Sequence, residues 1–251
     1  MKISKQSGMS LVETLAAIVI GCISVTAVFY SYQFFSRSYT GIVEKAAISK
    51  GGRDALSMIA RDLRNAGYRD VNYTKAIWDR WIDVTSNYLG TDADSLTIWY
   101  NTSANDRVRI RYHLKKYQNS KAMFLARDLD ENPVTSPLSV YDDEVIVPYV
   151  TDFQVVLKDI EGKELKPVCV NCVGVELTQG TKAEGNANQS KAHTAEIYLT
   201  VRSPNEVYKK DRTSVIFNGD NITTGREQTI KDRYHRETFF VSTYLRNIAK
   251  N

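Results

Sequence analysis

From Thr14 to Ser36 the chain runs for 23 residues without a charged side chain. No other stretch constrains the fold as strongly. As an α-helix it is about 35 Å long, enough to cross a hydrocarbon core of about 30 Å with some tilt. Ser24, Thr26, Ser31 and Gln33 interrupt the run. A core helix of a soluble domain would show a polar face at helical period, and none is visible before Tyr30. The pattern predicts a membrane-inserted helix. A buried soluble helix would leave Lys2 and Lys5, the basic flank, without a purpose. Glu13 heads the run; a carboxylate costs roughly 2.5–3.5 kcal/mol on insertion scales at the centre of the bilayer core and less toward its edge, but still disfavours insertion. Its retention needs an explanation.

Beyond that run the apolar residues are dispersed. The shares, 43% hydrophobic and 25% charged, are those of an ordinary globular chain, so a folded soluble part is expected. The length of 251 residues allows one large or two small domains. A formal charge of +4 does not demand a nucleic-acid partner. A secretory signal would place its small-residue cleavage site after the apolar region. Here the order is inverted: Gly8 precedes the run, and a cut after it removes Lys2 and Lys5, lowers the charge from +4 to +2, and keeps the helix.

Gly8-Met9-Ser10-Leu11-Val12-Glu13, followed by Thr14-Leu15, resembles the class III prepilin signal of type IV pilins and type II secretion pseudopilins. Met9 stands where Phe is commoner. The resemblance implies cleavage by a prepilin peptidase after Gly8 and N-methylation of Met9. Glu13 would then lie four positions from a new α-amino group, on one helix ridge. A neighbouring subunit's amino terminus could neutralise it in low dielectric, where pairing counts most. What the resemblance implies for Glu13 is a role in assembly and register.

The helix is expected to continue through "VEKAAISKGGRDALSMIARDLRNAGY". Ile42, Ala46, Ala47, Ala55, Leu56, Ile59, Ala60 and Leu63 fall at spacings for an apolar face, with Arg53, Asp54, Arg61, Asp62 and Arg64 on wet faces. Gly51-Gly52 is a weak point, a kink, a local unwinding site or a break between two helices, because an interior glycine costs about 1 kcal/mol against alanine. Gly67 is a natural cap, placing the stop near Ala66. "MIARDLRNAGY" (58–68) resembles the end of the long helix in PilW-type minor pilins and J-type minor pseudopilins. "DSLTIWY", "VRIRYHL", "FLARDLD" and the ending "ETFFVSTYLRNIAKN" resemble their strands more loosely.

After Tyr68 the chain reads as β-rich. "SLTIWY" and "RVRIRYHL" alternate and suggest a hairpin. Pro148 within "EVIVPYVTDFQVVLKD" favours an edge or a bulge. "TAEIYLTVRS" and "ETFFVSTYL" supply further strands. "TQGTKAEGNANQSK" (178–191) reads as a long exposed loop, and 203–237 as a loose excursion. The predicted fold class is α+β and pilin-like, with an antiparallel sheet against one face of a long N-terminal helix. The expected divisions are 1–8 leader, 9–36 transmembrane helix, 37–67 its amphipathic continuation and 68–251 the β-rich domain.

Cys22 lies within the membrane helix as a small apolar residue. The spacing Cys169-x-x-Cys172 admits an exchange site, half of a zinc set or a short-loop disulfide. With no second pair, and His113, His193 and His235 scattered, a disulfide at a hairpin tip is the expectation. "DLDEN" (128–132) offers oxygen ligands at Asp128, Asp130 and Asn132, but Pro133 and Ser139 stand where an EF-hand needs glycine and glutamate. A charged turn is expected there. Phosphate-cradling and nucleophile-elbow motifs are missing, so no catalytic residue, cofactor or metal is assigned. Asn72, Asn101, Asn188 and Asn221 begin glycosylation sequons, which matter only in a glycosylating secretory system. Lys209, Lys210, Arg212, Arg226, Lys231, Arg233 and Arg236, interleaved with Tyr208, Phe217 and Tyr234, could hold single-stranded nucleic acid. Asp211, Asp220, Glu227, Asp232 and Glu237 dilute that field.

By this resemblance the chain is expected to be a minor pilin that initiates or caps a type IV pilus. Its partners would be the prepilin peptidase, other minor pilins, the major pilin, an inner-membrane assembly platform and, through the helix, the membrane. The other readings are a pseudopilin of a type II secretion tip and a fibre-displayed adhesin or DNA-binding module. The expected location is the bacterial inner membrane, with the domain on the extracytoplasmic side, and the fibre.

Overall fold

A computed structural model describes residues 10–71, 81–86, 93–103, 106–117, 122–131, 138–165, 168–169, 191–216 and 228–248. The chain divides into two compact units, 1–45 and 46–251. One helix, α1 (Leu11–Asn65), forms the described part of the first unit and the first element of the second.

In the second unit the buried positions of α1 are Ile48, Gly52, Ala55, Leu56, Ile59, Ala60, Asp62 and Leu63. They recur at three- and four-residue steps, the period of a single helix face. Of the expected apolar face, Ala55, Leu56, Ile59, Ala60 and Leu63 are buried, whereas Ile42, Ala46 and Ala47, nearer the N-terminus, are exposed. The helix runs unbroken through the Gly51-Gly52 pair. Gly52 is instead part of the packed face: a Cβ there would collide with the Phe239 ring, whereas at Gly51 the nearest atom, Val147 Cγ1, lies 4.0 Å away. Each fully buried Leu or Ile here contributes about 1.5–3 kcal/mol of transfer free energy.

The helix lies on a curled sheet. The strands are β1 (Ile82–Ser86), β2 (Ser95–Asn101), β3 (Arg107–Lys116), β4 (Met123–Glu131), β5 (Leu138–Lys158), β6 (Glu164–Leu165), β7 (Val168–Cys169), β8 (Thr194–Glu206), β9 (Arg212–Ile216), β10 (Gln228–Asp232) and β11 (Tyr234–Tyr244). The order is β11-β8-β5-β4-β3-β2-β1-β7, with β6 on β5 and a separate β9-β10 ribbon. Pairing is antiparallel except for the short contact of β1 with β7. The β2–β3 hairpin forms as expected, with Ile98 opposite Ile110. The core joins Ile59 and Leu63 of the helix to Leu96, Ile98, Ile110, Leu114, Leu125, Phe153, Ile197 and Leu199 of the sheet.

Pro148 illustrates how the sheet turns. Along 138–148 β5 pairs with β4, and along 152–158 it pairs with β8. Pro148 therefore sits on a stretch with one paired neighbour among the described residues, although β5 is interior in strand order. Between Pro148, opposite Phe124, and Val150, opposite Met123, Tyr149 is an extra residue at φ 57°. This is a bulge, which bends and twists its strand. Asp94 covers the open side of the second half: its N–H donates to Phe153 O at 2.8 Å, and Val155 N–H donates to its Oδ2 at 2.8 Å.

Two further expectations are corrected. "DLDEN" is not a turn, because Asp128 and Asp130 lie in β4, directly opposite Arg111 and Arg109. Opposite charges facing across a pair stabilise a strand that propensity alone disfavours. The 203–237 excursion contains β9 and β10, whose short polar alternation gave little apolar signal. Residues 178–190 and the sequon at Asn188 lie outside the described residues, as do Asn72, Asn221 and Asn132.

Candidate functional site

The assembly residues expected from the sequence lie at the start of α1. Gly8 and Met9 are outside the described residues. Glu13 occupies the first helical turn and is exposed, where the helix dipole favours a carboxylate. From Leu11 to Tyr39 the large apolar side chains are exposed, for example Leu11 at 77% and Val25 at 70%. Such a surface requires lipid or neighbouring helices. Three of its hydroxyls bond back within the helix: Thr14 donates to Ser10 O (3.3 Å), Ser24 to Ile20 O (2.9 Å) and Thr26 to Cys22 O (2.7 Å). Backbone and side-chain donors paired within one helix meet the demand that hydrocarbon makes of a spanning segment. α1 is long and apolar enough to cross a membrane.

In the second unit the segment "RDLRNAGY" joins helix to sheet. Asp62, expected on a wet face, is buried. It accepts the Tyr112 hydroxyl at 2.6 Å and an Arg127 Nη2 donor at 3.3 Å, and Arg127 Nε donates to the Tyr112 oxygen at 3.2 Å. Burial, then the Asp62 charge, push the Tyr112 phenol far above its ordinary range. Arg127 is held above its ordinary value, the favourable tyrosine and Asp62 contacts outweighing burial. The helical period carried this signal, since Asp62 lies three residues past Ile59. Gly67 then adopts φ 74° and donates its N–H to Trp99 O at 3.0 Å. The C-terminal segment closes over this end: Asn247 Nδ2 donates to Arg64 O at 2.9 Å, and Ile248 packs against Gly67. The helix-end motif and the terminal motif, whose contacting residues are 183 positions apart in sequence, therefore meet.

The outer face of β3 and β4 carries a charge ladder. Arg109 binds Asp130 at 2.6 Å, and Arg111 faces Asp128 at 3.9 Å. His113 lies between Asp128 and Asp143, with Nδ1 3.7 Å from one carboxylate and Nε2 3.2 Å from the other. Burial lowers the His113 value against the pull of both carboxylates. Asp143 is bulged to φ 55°, its N–H donates to Asp128 Oδ1 at 2.9 Å, and its carboxylate also pairs with Lys115. The ligand atoms of these three residues lie within 4.8 Å of one another, a spacing open to a cation. Lys115 and Arg111 already balance the two carboxylates. The cluster acts as a clamp on the β5 bulge.

Among the basic residues of the last third, Arg236 forms a two-point pair with Asp232 (2.5 and 2.6 Å), and Arg233 reaches Glu206 at 3.1 Å. Tyr208 is stacked by Arg212 at 4.3 Å and Tyr234 by Arg202 at 4.1 Å. One face of each of these rings is therefore covered by an intramolecular cation. Phe217 and Arg226 lie outside the described residues. So does Cys172, while Cys169 pairs through β7 with Ser86 of β1.

A single N-terminal helix, apolar and exposed in its first half and packed on a curled antiparallel sheet in its second, defines a pilin-like fold. Residues 3–29 match the prokaryotic N-terminal methylation motif. Among solved structures the chain is similar to a type IV-like pilin from Thermus thermophilus, at 14% identity and a TM-score of 0.50, over 80% of this chain and 98% of that one. No curated protein sequence matches the chain. The motif and the fold are those of structural subunits, not of enzymes, and they fit membrane anchoring and association with pilus-type machinery.

Proposed function

We propose that the chain is a minor subunit of a type IV pilus, PilW-like in kind, which helps to initiate or cap the fibre. The observation that carries this reading is the methylation motif at the head of an exposed apolar helix whose other end is built into a pilin-type domain. Prepilin peptidase would cut after Gly8 and methylate Met9. The processed helix would stay in the inner membrane with the domain on the extracytoplasmic side. Assembly would bring it onto other minor pilins and the major pilin at the assembly platform, near the fibre tip. Glu13 supplies the attraction: its carboxylate pairs with a neighbour's amino terminus in low dielectric, where leaving it unpaired is costly.

Glu13→Ala tests this. The domain should stay folded, since none of its core residues is altered, while co-purification with other minor pilins and the number of fibres both fall. Glu13→Asp should be intermediate, because the charge is kept one methylene short. Undiminished complexes and fibre counts in Glu13→Ala would refute a directing role for this carboxylate.

A further inference from the structure

Aromatic residues on α1 are confined to one short band. Six of them, Phe29, Tyr30, Tyr32, Phe34, Phe35 and Tyr39, fall within residues 29–39, and none occurs in 11–28 or in 40–67. Each is at least 58% exposed. The first five span about 9 Å of helix axis. At about 100° per residue they point in every direction, leaving no open sector wider than about 100°. A stripe for one partner helix would occupy one side of the helix. A ring that encloses the helix yet is narrow along its axis matches a surrounding that is uniform around the helix and layered along it.

We propose that Phe29–Phe35 is a lipid-interface girdle that fixes the depth of α1 in the bilayer. The hydrocarbon core is then spanned by Leu11–Val28 rather than by Thr14–Ser36. This rests on the membrane-anchored reading above and adds to it the position of the boundary. Leu11–Val28 is about 27 Å long as a helix, close to the hydrocarbon thickness of about 30 Å. Aromatic rings prefer the headgroup layer, where an apolar body and a polar edge are both accommodated. Helical side chains tilt toward the N-terminus, so these rings reach back to the hydrocarbon boundary. Arg37, the first charge after Glu13, lies beyond the ring on the aqueous side. Polar Ser31 and Gln33, awkward within hydrocarbon, fall inside the headgroup layer.

Site-directed spin labelling of the full chain in phosphatidylethanolamine/phosphatidylglycerol vesicles tests the boundary. The three native cysteines are replaced by serine, and single labels are placed by Ile20→Cys, Tyr32→Cys and Lys45→Cys. The ratio of collision with oxygen to collision with a water-soluble nickel chelate reports depth. The girdle predicts a deep label at position 20, a headgroup-level label at 32 and a water-exposed label at 45. A deep label at both 20 and 32 would overturn the girdle and leave the membrane reading intact. A water-exposed label at 20 would remove both. In a second chain the five aromatics are changed to leucine and the label is placed by Tyr39→Cys. That label should sink toward the hydrocarbon relative to its position in the parent chain. An unmoved label would show that the ring does not set depth.

Discussion

The adjacent glycines of α1 should respond oppositely to the same substitution. At Gly51 an added methyl meets Val147 Cγ1 at 4.0 Å, an ordinary contact. Gly51→Ala should therefore gain the helix-propensity difference, about 0.5–1 kcal/mol. At Gly52 the methyl would enter the space of the Phe239 ring, which is itself buried at 7% exposure. Overpacking of this kind costs about 1–3 kcal/mol, against the same gain of up to about 1 kcal/mol. The net is a loss of about 1 kcal/mol, and the two variants should differ by about 2 kcal/mol. For a domain of this size each 1 kcal/mol moves Tm by about 2–4 °C. Urea and thermal unfolding of a fragment beginning at Val43 gives both values. Phe239→Leu should recover part of the Gly52→Ala loss, because the ring edge that collides is gone. Equal stabilisation by both alanines would refute the packing account and leave Gly52 as a helix fault with no partner.

Asp62→Ala leaves the Arg127 guanidinium, 12% exposed, without its nearer carboxylate, and should cost about 3–5 kcal/mol in urea unfolding. Arg61→Ala, next to it but 69% exposed, should change stability by less than about 1 kcal/mol. Tyr112 is held neutral in the folded domain, so above its ordinary value of 10.0 the unfolded chain releases that proton first. Stability conferred by this group is thus complete below pH 10.0 and falls as pH rises beyond it; Tyr112→Phe should flatten that fall in pH-dependent unfolding. Non-reducing peptide mapping of protein made in an oxidising compartment should join Cys169 to Cys172, and two free thiols would remove that bond from the account.

The helix and the main strands were legible because their signals are local. A charge-free run, a 3.6-residue period and strict alternation in "RVRIRYHL" each depend on neighbours along the chain. What escaped depended on residues far apart in sequence. Gly52 read as a weakness because its partner, Phe239, is on the last strand. Asp62 read as wet because a carboxylate is buried only where a donor such as Tyr112 and a cation such as Arg127 meet it, and these lie on β3 and β4, far along the chain. Asp128 and Asp130 read as a turn for the same reason, their arginines standing opposite on β3. His113 and Asp143 came together only through a bulge that no alternation pattern encodes.

Processing is the most direct test of the central claim. Mass spectrometry of protein extracted from the membranes of a strain with active prepilin peptidase should show a chain that begins at methylated Met9, eight residues shorter than the full sequence. Gly8→Leu should leave the leader in place, because a bulky side chain replaces the small residue at the cut. A chain that still begins at Met1 in the parent protein, under the same conditions, would contradict the account from its first step.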